Sequence, residues 1–97
     1  MKRPCILVAD NLEEYVGQVR QYLERHGYST SGTSTAEETR AVFRKDPVDL
    51  ALIDVRMVEE GDKNDRSGLE IASNCAPEVP KIILTAYQPS GWVSMSR

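Results

Sequence analysis

The sequence predicts an α/β domain built on a parallel sheet, and three observations carry that prediction. Continuous apolar runs at residues 5–9, 50–53 and 82–84, the last preceded by Lys81, have the unbroken character of strands covered on both faces. The segments between them place apolar residues at steps of three and four, the spacing of a helix with one buried stripe. Each apolar run also ends at a residue able to do chemistry: Asp10, Asp54 and Thr85. Strands alternating with helices make right-handed parallel crossovers the expected connection.

Taken in order, Cys5, Ile6, Leu7, Val8 and Ala9 form the first strand, with Asp10 and Asn11 at its carboxyl end. Leu12, Tyr15, Val16, Val19, Tyr22 and Leu23 make the stripe of the first helix, and Gly27 suits the left-handed position that ends it. His26, the only histidine, stands at that end and reads as a cap; a histidine-based triad has nothing to assemble from. Residues 28–33 are short and rich in Ser and Thr, a second strand of low apolar content. Ser34 or Thr35 caps the second helix, with Glu37 and Glu38 in the first turn where the dipole favours them. That helix runs to about Lys45, and Pro47 prevents its continuation. Residues 50–53 form the third strand, ending in Asp54. The acidic stretch 58–66, with Gly61 and Asn64, reads as a surface loop. Residues 68–76 make a short third helix with Leu69, Ala72 and Ala76 on one face. Pro77 and Pro80 bracket the turn into the strand 81–84. The stretch 87–97 has no clear period.

Composition narrows the function. The 97 residues make one small domain, and 40% hydrophobic with 28% charged residues reads as a folded, soluble chain. Twelve basic against fifteen acidic side chains leave a formal charge of −3, so no basic excess exists to bind a nucleic-acid backbone. No apolar run approaches the roughly 18 residues of a membrane helix, and the first run is too short for a signal peptide, so a cytoplasmic location is expected. Cys5 and Cys75 lack metal-type spacing and read as reduced and buried.

In a parallel α/β sheet, ligands bind beyond the carboxyl ends of the strands. If the strands ending in Asp10, Asp54 and Thr85 are neighbours, the three side chains converge on one crevice. Two carboxylates there repel, a conflict usually resolved by a proton or a metal. An oxygen-rich site of this kind suits Mg²⁺, and a metal-neutralised aspartate can attack phosphorus. The competing reading is that Asp10 and Asp54 only cap the following helix or turn.

The segments Ile6-Leu7-Val8-Ala9-Asp10-Asn11, Leu50-Ala51-Leu52-Ile53-Asp54-Val55-Arg56-Met57 and Ile82-Ile83-Leu84-Thr85-Ala86 resemble the signature stretches of response-regulator receiver domains of two-component signalling. The Gly27-Tyr28 turn and Val79-Pro80 also fit that family, and the likeness spans roughly residues 4 to 87. It implies a flavodoxin-like three-layer sandwich with strand order 2-1-3-4, the family's fifth strand and last helix being missing. Residues 1–87 then form an incomplete receiver-like domain and residues 88–97 an irregular tail. By the same resemblance Asp54 is the phosphoacceptor, and the Mg²⁺ site draws on Asp10, Asn11, Asp54 and the backbone carbonyl of Arg56. Thr85 and Ala86 are the switch residues that contact the phosphoryl group, and Tyr87 is the candidate switch aromatic. The implied phosphodonor is a sensor histidine kinase or phosphotransfer protein.

Three departures qualify the resemblance. Asn11 stands where the family has its second acidic residue, so one charge is lost from the metal site. A charge pair at ~4 Å and an effective dielectric of about 20 is worth roughly 4 kcal/mol before desolvation, so weaker Mg²⁺ binding is expected. A one-residue slip between Asp10 and Asn11 would instead make Asp10 the direct ligand. The connection 57–68 is longer than usual, lacks the family's proline, and adds Glu59, Glu60, Asp62 and Asp65 near the crevice. No strand and no family-type lysine follow Thr85, and Lys81 precedes its strand. An exposed fourth-strand edge and a partly uncovered first helix then favour a homodimer through either surface, unless the chain is a fragment. Phosphoacceptor module, non-phosphorylated interaction or dimerisation module, and small phosphohydrolase or nucleotide-binding α/β domain using Asp54 are the three readings. The last lacks a second aspartate after Asp54 and a Gly-rich loop after the first strand, so a switch and not an enzyme is favoured.

Overall fold

The computed structural model describes residues 3–54 and 67–84. Along the chain these form β1 (Cys5–Ala9), α1 (Glu13–Arg25), β2 (Ser29–Thr33), α2 (Ala36–Lys45), β3 (Leu50–Asp54), α3 (Ser67–Asn74) and β4 (Lys81–Leu84). All strand pairs are parallel and the order is β2-β1-β3-β4, as the resemblance implies. The boundary expected at residues 87/88 lies outside the described residues.

Strand alternation sorts the apolar side chains into two layers. Leu7, Ala9, Ala51 and Ile53 share a cluster with Ala36 of α2 and Ile71 of α3. Ile6 and Val8 share the other with Val16 of α1, flanked by Leu50 and Leu52. Both faces of β1 and β3 are therefore clothed, which is why their sequences carry no polar interruption.

Local signals act as the sequence predicts at both ends of the helices. Gly27, at φ +93°, follows the C-cap His26; the Tyr28 N–H bonds the Leu23 carbonyl at 3.2 Å and the Gly27 N–H bonds that of Glu24 at 3.1 Å. This double closure is a Schellman motif. The His26 ring rests on Tyr22, with centroids 4.6 Å apart. Thr35 is the N-cap of α2, its side chain accepting the Glu38 N–H at 3.1 Å, while the Glu38 carboxylate accepts the Ser34 N–H at 2.9 Å. Gly32 serves close approach: a Cβ there would meet Arg20 Cδ at 2.7 Å and Val16 Cγ1 at 2.8 Å, so its absence lets α1 settle onto β2.

Three expectations are corrected. Leu12 and Tyr22 are not part of the buried stripe of α1; they are 47% and 60% exposed, because the helix rests on β2 and β1 through Val16, Val19 and Leu23. The buried face of α3 is Gly68 and Ile71, with Ala72 and, just past the helix, Cys75 partly buried beside them, whereas Leu69 is 39% exposed. Ala76 lies beyond the helix at φ +43°. Cys5 and Cys75 are free thiols as expected, but half-buried.

Candidate functional site

The register brings the two aspartates together. Ala9 pairs with Ile53, so the next positions on these neighbouring strands are Asp10 and Asp54. Both side chains are completely buried, at 0% exposure. They continue the alternation of Ile6 and Val8 and of Leu50 and Leu52, placing them in register with the face that carries α1. Main-chain bonds fix Asp10: its N–H donates to the Thr33 carbonyl at 3.2 Å. Its Oδ1 accepts the Leu12 N–H at 3.0 Å, an Asx-type turn. The capping job expected of a strand-terminal aspartate is thus one that Asp10 performs. Leu12, the N-cap of α1, has no side-chain cap of its own. Because the Leu12 N–H donates to Asp10 Oδ1, the amino end of α1, where the helix dipole is positive, adjoins Asp10.

Asn11, the next residue after Asp10, offers a further oxygen. Its Oδ1 is enclosed and has no hydrogen-bond partner among the described residues. An enclosed amide oxygen left unpaired costs free energy unless something else takes it up. Two carboxylates and one amide oxygen are hard donors, and hard donors suit Mg²⁺ or Ca²⁺ over softer ions. Among the described residues no group of three or more His, Cys, Asp or Glu side chains gathers. The residues present fit a hard divalent cation.

Asp54 pairs with Leu84, and Thr85 is the next residue in the chain. Thr85, Ala86, Tyr87 and Arg56 lie outside the described residues, as does the acidic stretch 58–66. The described lysines stand elsewhere. Lys45 ends α2, and Lys81 opens β4 at the opposite end of the sheet. Lys81 Nζ donates to the carbonyls of Ala76 at 2.7 Å and Val79 at 2.9 Å and lies 5.6 Å over the Phe43 ring. Its ammonium closes the turn into β4.

The sequence reading passed over a buried polar pair beside the site. Thr33 ends β2, Thr39 lies in α2, and their hydroxyls are 2.8 Å apart with both residues buried. The available signal was a threonine on the buried face of a helix whose other inward positions are apolar.

No family model and no curated protein matches the chain. Solved structures do. A response regulator receiver domain protein (CheY-like) from Methanospirillum hungatei JF-1 is 27% identical with a TM-score of 0.73, over 90% of this chain and 67% of that one. The receiver domain of the Francisella response regulator 1452 is 25% identical with a TM-score of 0.72, over 91% and 70%. A response regulator from Burkholderia pseudomallei, holding a phosphorylated aspartic acid, calcium and citrate, is 24% identical with a TM-score of 0.71, over 88% and 48%. The chain thus spans about two thirds of the first two structures and about half of the third. It has the receiver-domain fold, and the likeness supports a two-component signalling module.

Proposed function

We propose that the chain is a phosphoacceptor module of a two-component phosphorelay, with Asp54 as the acceptor. The carrying observation is a fully buried carboxylate at the carboxyl end of the central strand β3, beside a second one on β1. Asp10 caps the turn into α1, but two adjacent buried carboxylates carry a desolvation cost that one turn bond does not offset. Chemistry is the economical explanation for keeping them.

In the reaction, a carboxylate oxygen of Asp54 attacks the phosphorus of a phosphohistidine on a sensor kinase or phosphotransfer protein. The P–N bond breaks, the imidazole leaves with its electron pair, and an acyl phosphate remains on Asp54. Asp10, Asn11, Asp54 and the Arg56 backbone carbonyl would hold Mg²⁺, which when bound neutralises the charge gathered on the phosphoryl oxygens. Thr85 and Ala86 are the proposed phosphoryl contacts and Tyr87 the proposed reporter of the phosphorylated state. A cavity of about 530 Å³ against the first turns of α1, lined by Asn11, Leu12, Glu13, Glu14, Tyr15 and Gln18, gives a donor protein a surface next to the corner. The module is a switch in the cytoplasm and not a turnover enzyme. No helix among the described residues is long and apolar enough to cross a membrane. The net charge of −3 disfavours direct nucleic-acid binding.

A second reading, an interaction or dimerisation module that is not phosphorylated, draws on exposed apolar side chains. Ile82 on β4 is 49% exposed, and Tyr22 of α1 stands out on the helix surface. A homodimer through β4 or α1 would cover them.

Incubation with acetyl phosphate and Mg²⁺ followed by intact-mass measurement separates the two. The phosphoacceptor reading requires one phosphoryl adduct that disappears in Asp54→Asn. Absence of any adduct across a wide Mg²⁺ range, with a dimer in sedimentation, selects the second.

A further inference from the structure

Beside the acidic corner lies a hydroxyl chain that packing alone does not require, and from it we infer that Thr39 is a positioning residue for Asp10, acting through Thr33. The inference rests on reading that corner as a cation and phosphoryl site. Thr39 is at 0% exposure and Thr33 at 5%, and their Oγ1 atoms are 2.8 Å apart. Thr39 Oγ1 also lies 2.8 Å from the Thr35 carbonyl. A carbonyl only accepts and a hydroxyl carries one proton, so Thr39 donates to Thr35 and Thr33 donates to Thr39.

The chain continues into the site. Thr33 pairs with Ala9 in the sheet, and the Thr33 carbonyl accepts the Asp10 N–H. Asp10 Oδ1 in turn accepts the Leu12 N–H that begins α1. One series of bonds therefore runs from the first turns of α2, through the last residue of β2, to the acidic end of β1 and the start of α1. Valine has the shape of threonine and would fill the space between β2 and α2 without burying two hydroxyls. What valine cannot do is fix the rotation of the last β2 peptide, whose carbonyl holds Asp10.

The test compares Thr39→Val, Thr33→Val and Thr39→Ser by amide hydrogen exchange and by Mg²⁺ titration. Either valine variant is expected to accelerate exchange at the Asp10 and Leu12 amides by roughly tenfold, the size of one buried hydrogen bond lost. The Asp49 amide, bonded to the Cys5 carbonyl at 2.8 Å at the far end of β1, is the internal control and should move much less. Mg²⁺ affinity should weaken several-fold in the same variants, and Thr39→Ser should restore both readouts. Equal acceleration at both ends of the strands, or none at Asp10, overturns the inference. If Thr39→Val does not fold, Thr33→Val decides alone, because it leaves the bond from Thr39 to Thr35 in place. A wild-type chain that binds no Mg²⁺ would sink the phosphoacceptor reading, while the exchange comparison would still decide the positioning.

Discussion

β1 and β3 carry an acidic residue near each end of their shared edge, and the two ends treat that residue in opposite ways. At the amino end, exposed Asp49 accepts the Cys5 N–H at 2.7 Å and returns its own N–H to the Cys5 carbonyl, tying the strand starts together. Lys81 does comparable work nearby, closing the turn before β4. At the carboxyl end, Asp10 and Asp54 are neighbours with no exposure at all. An exposed, hydrogen-bonded charge costs little, whereas two adjacent buried carboxylates carry a large desolvation penalty. Residue type is the same at both ends; burial and company separate the structural Asp49 from the two aspartates proposed for chemistry.

Substitutions at the two ends sharpen that contrast, and the largest effect falls on Asp54. Asp54→Asn should lose phosphoryl acceptance from acetyl phosphate entirely by intact mass, whereas Asp49→Asn should retain it. Next comes Asn11→Asp, which restores a third charge to the corner. Isothermal titration should show Mg²⁺ bound about tenfold more tightly, the part of the charge-pair energy surviving desolvation. At the amino end, Lys81→Met should lower stability by about 1–2 kcal/mol in urea unfolding, since the ammonium's bonds to two carbonyls are lost. Asp49→Ala should cost at most about 1 kcal/mol, because water can replace its exposed bond. Neither amino-end change should alter Mg²⁺ affinity; if either does, the two ends are not independent.

Much of this arrangement is legible in the sequence because the strongest signals are local. The apolar runs 5–9, 50–53 and 82–84 are unbroken, Gly27 and Thr35 sit where helix ends require them, and each run ends next to a functional candidate. The order 2-1-3-4 comes from resemblance, since alternation alone does not rank parallel strands. What was misread depends on how elements rest on each other. Leu12 and Tyr22 fit a helical stripe as well as Val16 does, but α1 sits towards β2 and leaves them outside. Leu69 and Ile71 are equally apolar, and only the packing of α3 on the sheet chooses Ile71. The hydroxyls of Thr33 and Thr39 pair across six residues and two elements, a contact that no spacing rule announces. Asp49 was passed over because a lone polar residue before a strand has many equivalent readings.

In the proposed function the carboxyl-end aspartates are held at a cost to stability that a divalent cation relieves. Thermal unfolding of wild type and Asp54→Asn, each with and without Mg²⁺, tests it most directly. Without Mg²⁺ the variant should melt several degrees higher, as relief of about 1 kcal/mol does in a domain of this size. With Mg²⁺ the wild type should gain stability and the variant should gain little, narrowing or reversing the gap. A variant that melts lower without Mg²⁺, together with a wild type indifferent to the cation, would contradict the account.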